Sequence, residues 1–378
     1  MAGLATAMPL ASSPIDDHHL TRWLLRGPAQ LADGPHAGAV LGSIAGHAGA
    51  MYAYPEITGY WLQWLAWRSR RAGNVATCAP HAAAAQRWLG VWLASGSPLP
   101  MRLHLNSDVD DWRNRTEFCF DLAMVLRGLG AAVAAGLLVP APRVIGGVAA
   151  ALERLIAADG MFNACGAAAP GRTLPVRWST QRGGFLAKAA AGVIAAGHLP
   201  GVSPTLVDAA EATWRASLDA ALYTPHDELH PQLYAFEGIL SRPQHPPTVA
   251  ALPKIAAAVD ALLDLQRHGG ANDATLPERR CAAATDDQTA RVDVLAQALR
   301  IACVVQQWLP AWVPDRAALT RIRALLAARV RTDGSLPFAL NEVVPVSNVW
   351  AAMFADQALA LASGPHAADN RAADPLIV

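Results

Sequence analysis

His230, Tyr234 and Glu237 stand four and three residues apart, so on a helix they share one face. A histidine exchanges a proton near neutral pH, and a glutamate beside it can orient it or act as the second acid/base group. The segment Tyr54-Pro55-Glu56-Ile57-Thr58-Gly59-Tyr60-Trp61 sets another carboxylate among aromatic side chains. Pro55 favours a helix start, and a helix N-terminus suits Glu56 electrostatically. Glu56, His230 and Glu237 are therefore the candidate acid/base groups. Polar residues recur at comparable places further on. They are Asp121 within the apolar run from Phe118 to Ala123, Trp178, Arg182 and Lys188 around Gly183-Gly184, Arg291 and Asp293, and Asn348 and Trp350. In this reading Tyr54, Tyr60 and Tyr234 orient a substrate. Trp61, Trp178 and Trp350 stack on it, and Arg182 holds an anionic group such as a uronate carboxylate. Asp121, Lys188, Arg291, Asp293 and Asn348 complete the expected substrate-binding set. A His226/His230 metal pair lacks the HExxH order and Pro231 interrupts it, so neither a metal nor a cofactor is expected.

The elements that must position these residues are helices, because Ala, Leu, Arg and Gln dominate and alternating β-branched runs are scarce. One set is amphipathic: 17–32, 79–94, 142–158, 204–221, 248–267 and 315–331. A second, more apolar set carries its polar residues near the N-terminal ends: 57–69, 119–135, 183–197, 232–241, 291–308 and 347–362. The sets alternate strictly, and starts in the second set recur at intervals near 60 residues, the length of a helical hairpin with its connectors. Asp159-Gly160-Met161-Phe162, Asp333-Gly334-Ser335-Leu336 and Gly269-Gly270 before Leu276-Pro277 occupy equivalent links, where glycine stops one helix before the next. Six hairpins predict an all-α (α/α)6 toroid with a central cavity, in preference to an open helical solenoid. The expected boundaries are a flexible N-terminus 1–15, one toroid domain 16–362 and a flexible tail 363–378.

Composition narrows the function classes. Of 378 residues, 53% are hydrophobic and 16% charged, with 30 basic side chains balancing 30 acidic ones. That excludes disorder and argues against nucleic-acid binding through bulk charge. Arg, Asp or Pro interrupts every apolar run before a membrane span accumulates. Five scattered Cys without CxxC pairing, and a start without a basic n-region, fit reduced thiols in a cytoplasm. The expected partner is a small-molecule or oligosaccharide substrate, and monomer and homodimer both remain open. Among the 12 Trp, Trp23, Trp88, Trp92 and Trp308 read as packing residues.

The segments YPEITGYWL (54–62), FDLAMVLRGL (120–129), LHPQLYAFEGIL (229–240), RVDVLAQALR (291–300) and NVWAAMFADQAL (348–359) resemble bacterial (α/α)6-toroid proteins associated with polysaccharide biosynthesis. The motifs of that family run close to YPEvTGY, FDtGQvLrGL, hPhcYAlEGLL and nvWaamFaeQAL. The chain departs at Leu122-Ala123-Met124, where the pattern favours Thr-Gly-Gln, and so loses a polar side chain beside Asp121. The resemblance implies a fold shared with sugar epimerases, polysaccharide lyases and unsaturated-glycoside hydrolases.

Three functions compete. The first is a carbohydrate-active enzyme using general acid/base chemistry: epimerisation, elimination or glycoside hydrolysis. Inner-face carboxylates about 5 to 9 Å apart favour hydrolysis, whereas a His pair across the cavity favours epimerisation. The second is an acid-initiated terpene cyclase, because Asp108-Val109-Asp110-Asp111 matches DxDD. The third is a non-catalytic glycan-binding scaffold, whose signature is a cavity with aromatics and no coupled acid/base pair.

Overall fold

The computed structural model describes residues 15–45, 49–96, 98–105, 112–166, 173–267, 275–276, 290–340 and 346–363. The DxDD segment 108–111, Gly269-Gly270 and nearly all of both chain ends lie outside them. The described residues form twelve α-helices: α1 (Ile15–Arg26), α2 (Pro55–Ala72), α3 (Val75–Ala94), α4 (Cys119–Ala134), α5 (Pro142–Glu153), α6 (Leu186–Ala196), α7 (Pro204–Tyr223), α8 (Leu229–Leu240), α9 (Pro246–Arg267), α10 (Val292–Trp308), α11 (Arg316–Arg329) and α12 (Val349–Ser363). Even-numbered helices pack on one another in the order α2, α4, α6, α8, α10, α12 and back to α2, with odd-numbered helices against their outer side. Six hairpins thus close into an (α/α)6 toroid, as the alternation of apolar and amphipathic segments predicts. No helix among the described residues is long and apolar enough to cross a membrane.

Inner helices are buried nearly all round. Every residue of α8 is buried, as is every residue of α4 from Cys119 to Ala132. Where these helices meet, glycine is a spatial requirement. A Cβ on Gly59 would sit 2.4 Å from the Met124 carbonyl oxygen, and one on Gly128 equally close to that of Gly59. A Cβ on Gly238 would fall 2.1 Å from the Lys188 backbone nitrogen. The glycines of the TGY, RGL and EGI motifs are therefore the points where α2 meets α4 and α6 meets α8.

The links after α5 and α11 are built alike. Gly160 (φ 78°) and Gly334 (φ 88°) adopt the left-handed conformation that glycine supplies. Ahead of each, an aspartate oxygen accepts a backbone N–H two residues on: Asp159 from Met161 at 3.1 Å, Asp333 from Ser335 at 2.9 Å. Asp356, fully buried on α12, closes the ring. It accepts from Thr21 of α1 at 3.0 Å and from Trp64 Nε1 of α2 at 2.8 Å.

One element departs from the all-helical expectation. Strands β1 (Leu41–Ala45), β2 (Gly49–Ala53), β3 (Leu103–His104) and β4 (Val346–Asn348) form an antiparallel sheet in the order β3-β2-β1-β4. Ser43 pairs with Asn348, and Tyr52 with His104. LGSIA and GAMYA are too short and too rich in Gly and Ala to announce themselves as strands. Residues 347 and 348 consequently belong to β4, and α12 starts at Val349.

Candidate functional site

The inner helices α2, α4, α6, α8 and α10 begin without a side-chain cap. The outer helices α3, α7 and α11 are instead capped by Asn74, Ser203 and Asp315. The inner N-termini surround a cavity of about 510 Å3. Glu56 of α2, Asp121 of α4, His230 and Tyr234 of α8, and Trp350 of α12 line it from the helices. Tyr54, Arg291 and Asn348 line it from the residues just before them. Trp178, on the link before α6, stands over Phe185 and His230 at ring separations of 5.0 and 6.0 Å. Ser43, Tyr52 and Val346 bring the sheet to the rim.

Two carboxyl groups meet in this wall. Glu56 and Asp121 lie near enough for each to act on the other's ionisation, and Tyr54 acts on that of Glu56. Two buried ionised carboxylates side by side repel one another, so the pair favours keeping a proton. Burial drives Glu56 up to about 7, against the opposing effects of the Tyr54 hydrogen bond and the Lys188 charge. Burial, then the neighbouring charge of Glu56, raises Asp121 well above the usual carboxylate range. Asp121 is 4% exposed, and its Oδ2 has no hydrogen-bond partner among the described residues.

Three positions round the ring from α2, and so opposite it, α8 presents His230. Its Nδ1 lies 2.8 Å from Gln297 Oε1, and Gln297 Nε2 in turn donates to Glu237 Oε2 at 3.3 Å. That second bond fixes the amide, so Nδ1 carries the hydrogen and Nε2 is left as a base. Burial, with the Arg291 charge adding to it, lowers His230 to about 4 and keeps the ring neutral.

Behind the lining, Asp293 binds Arg291 through both carboxylate oxygens, at 3.0 and 2.6 Å, and accepts from Trp350 Nε1 at 3.0 Å. Burial, the largest single influence, opposes its ionisation, but the Arg291 charge, His230 and the hydrogen bonds from Arg291 and Trp350 together outweigh it and hold Asp293 at about 2. Asp293 therefore orients two lining side chains without facing the cavity itself.

Glu237, Lys188, Tyr60, Trp61 and Arg182 also lie elsewhere than expected. The shared face of His230 and Glu237 runs along the helix axis. Seven residues carry Glu237 about 10 Å deeper, into the packed centre of the ring. There it is fully buried, bonded to Lys188 Nζ at 2.7 Å and to Arg300. Lys188 Nζ sits over the rings of Tyr60 and Tyr234 at 4.6 and 4.7 Å. Burial, its dominant influence, lowers Lys188 to about 7. Trp61 stacks on Trp64 at 5.1 Å and meets His81 of α3 edge-on, so it is a packing residue between the two walls. Arg182 is engaged by Asp159 and Asn163 on the link after α5. His226, the other half of the metal pair, accepts the Glu228 N–H at Nδ1.

Arg102, Arg113 and Arg177 also line the cavity, although none of them stands at an inner-helix start. They lie on the connectors leading into α4 and α6, where one arginine resembles any solvated loop residue.

No family model and no curated protein matches this chain. Solved structures do. A D-mannose isomerase superimposes with a TM-score of 0.67 at 14% identity, over 93% of this chain and 100% of that one. A cellobiose 2-epimerase from Spirochaeta thermophila DSM 6192 gives 0.64 at 15%, over 91% and 95%. An unsaturated glucuronyl hydrolase specific for heparin gives 0.57 at 14%, over 92% and 94%. The toroid is thus shared with sugar isomerases, epimerases and glycoside hydrolases.

Proposed function

We propose that this protein is a sugar epimerase or isomerase that moves a proton across the cavity between His230 and the Glu56–Asp121 pair. The observation that carries this reading is two buried carboxyl groups, Glu56 and Asp121, in the cavity wall with a buried histidine, His230, on the helix opposite α2. His230 Nε2 removes the hydrogen from a carbon beside the substrate's carbonyl, leaving an enolate. The carboxyl pair returns a proton to the other face, and solvent exchange then resets both groups. Uncapped N–H groups at the inner helix starts face the developing oxyanion. Tyr54 holds Glu56, and Trp178 and Trp350 offer ring faces to the sugar. The fold relatives named for sugar epimerisation and isomerisation agree with this chemistry.

Hydrolysis by two separate carboxylates, which stand about 5 to 9 Å apart, fits less well, because Glu56 acts directly on the ionisation of Asp121 and the two behave as one buried pair. The experiment is incubation with aldoses, uronates and reducing disaccharides in deuterium oxide, followed by proton NMR. Deuterium enters at the carbon beside the carbonyl and the epimer accumulates; His230→Asn suppresses exchange into the starting sugar, and Glu56→Gln suppresses formation of the epimer. Binding with no exchange at any sugar carbon would favour the glycan-binding scaffold and overturn the reading.

A further inference from the structure

The rim of the cavity carries guanidinium groups from four separate segments: Arg102 beside β3, Arg113 on the turn before α4, Arg177 on the link before α6, and Arg291 at the start of α10. Facing them are Glu228 and the Glu56–Asp121 pair. The pair carries at most one negative charge at neutral pH while it holds its proton. Asp293 neutralises Arg291 from behind. Among the described lining residues, four guanidinium groups thus stand with Glu228 and the Glu56–Asp121 pair, in a chain whose formal net charge is zero. Arg102 is half-buried over the Tyr52 ring at 4.8 Å, and its Nε has no hydrogen-bond partner among the described residues. Its charge reaches the carboxyl pair, on which it acts to favour ionisation. A half-buried arginine lying over an aromatic ring keeps a fixed direction, which suits planar carboxylate recognition.

We infer that the substrate is an acidic sugar, its anionic group held at the rim by Arg102 and Arg177 while its reacting carbon lies between His230 and the Glu56–Asp121 pair. This rests on the reading of the cavity as a sugar site and adds the substrate's charge to it. A volume of about 510 Å3 leaves room beyond one monosaccharide, so an acidic residue within an oligosaccharide fits as well. The anionic group recognised is a carboxylate, or a phosphate ester with the same preference for guanidinium forks.

The test is titration calorimetry of the full chain with D-glucuronate, D-galacturonate, D-glucose 6-phosphate and D-glucose at low and high salt. Acidic sugars should bind roughly tenfold more tightly than D-glucose, about the gain from one charge-assisted hydrogen bond. The preference should shrink in high salt and vanish in Arg102→Gln/Arg177→Gln. The exposed Arg177→Gln substitution alone, checked for folding by circular dichroism, should already weaken it. A preference for both uronates over the phosphate ester assigns the rim to a carboxylate, and the reverse assigns it to a phosphate. Equal affinity for acidic and neutral sugars, or binding of none of the four, overturns the inference. Acidic sugars that bind without carbon–hydrogen exchange leave this inference standing and overturn the proposed reaction. Exchange on neutral sugars with no acidic preference does the opposite.

Discussion

At the residue scale, the decisive feature is a carboxyl pair that burial and proximity keep from ionising fully. Its acid form is available only while it holds its protons, and His230 is a base only while neutral. kcat/KM should therefore rise as pH passes about 4, where His230 loses its proton, and fall as pH climbs past about 7, where Glu56 loses its own. A pH–rate profile without that alkaline decline removes the pair from the mechanism. The same shift affects folding. Glu56 has an ordinary value of 4.5 and sits at about 7 in the fold, so the folded state binds its proton more tightly than the unfolded chain does. That favourable linkage is complete below the unfolded value and is lost as pH rises through the folded one. Glu56→Gln should then stabilise the protein relative to wild type by roughly 3 kcal/mol at about pH 8 and by little at about pH 4. It should also cut kcat by about 10²- to 10⁴-fold, the range of general acid catalysis. Thermal melts at the two pH values, read with rates of epimer formation, check both. Equal melting shifts at the two pH values would show that burial does not penalise the ionised carboxyl.

At the element scale, motif glycines and ordinary helix glycines should behave in opposite ways. Gly238→Ala places a methyl group against the Lys188 backbone, where neither helix can yield without separating α6 from α8. A loss of several kcal/mol, or failure to fold, is expected. Gly146 lies within α5, and a Cβ there meets nothing within 4 Å. Gly146→Ala should raise stability by about 0.5–1 kcal/mol through helix propensity alone. Denaturant unfolding of the two variants checks the pair, and matching effects would sink the close-approach argument. These elements also show why the helices were legible in the sequence and the sheet was not. Twelve helices announce themselves through long periodic runs, and the Asp-Gly links through residues that only such turns require. The sheet is made of two- to five-residue strands from three distant segments, so its pairing is a tertiary fact. Glu56, Asp121 and His230 could be found from helix starts because the toroid turns those starts inward. Arg102, Arg113 and Arg177 reach the cavity through connectors, whose paths no local pattern records.

At the scale of the whole molecule, the toroid has two layers on its axis, an open cavity above and a filled centre below. The filled centre is charged. Glu237 of α8 binds Lys188 of α6 and Arg300 of α10, and Arg300 donates to Gln357 of α12 at 2.9 Å. A single carboxylate with no exposure to water thereby joins three consecutive inner helices, and Arg300 extends the link to a fourth. Burial pushes Glu237 up, but the charges of Arg300 and then Lys188 outweigh it and keep the carboxyl below its ordinary value. Such a cluster is costly to break. Removing one partner leaves the others buried without compensation, at about 3–5 kcal/mol. Glu237→Gln should accordingly lower the melting temperature sharply. At a temperature where the variant remains folded, its pH–rate profile should keep two limbs, with the His230 limb moved to lower pH, because Glu237 reaches the site through Gln297, through Lys188 and through its charge on His230. A kcat loss as large as that of Glu56→Gln, with the melting temperature unchanged, would return Glu237 to the catalytic role its helical spacing first suggested. Adding Lys188→Met to Glu237→Gln tests the same cluster from the other side. With one of the two stranded cations gone, part of the lost stability should return. A double variant no more stable than the single one would mean that the centre is held by packing rather than by charge.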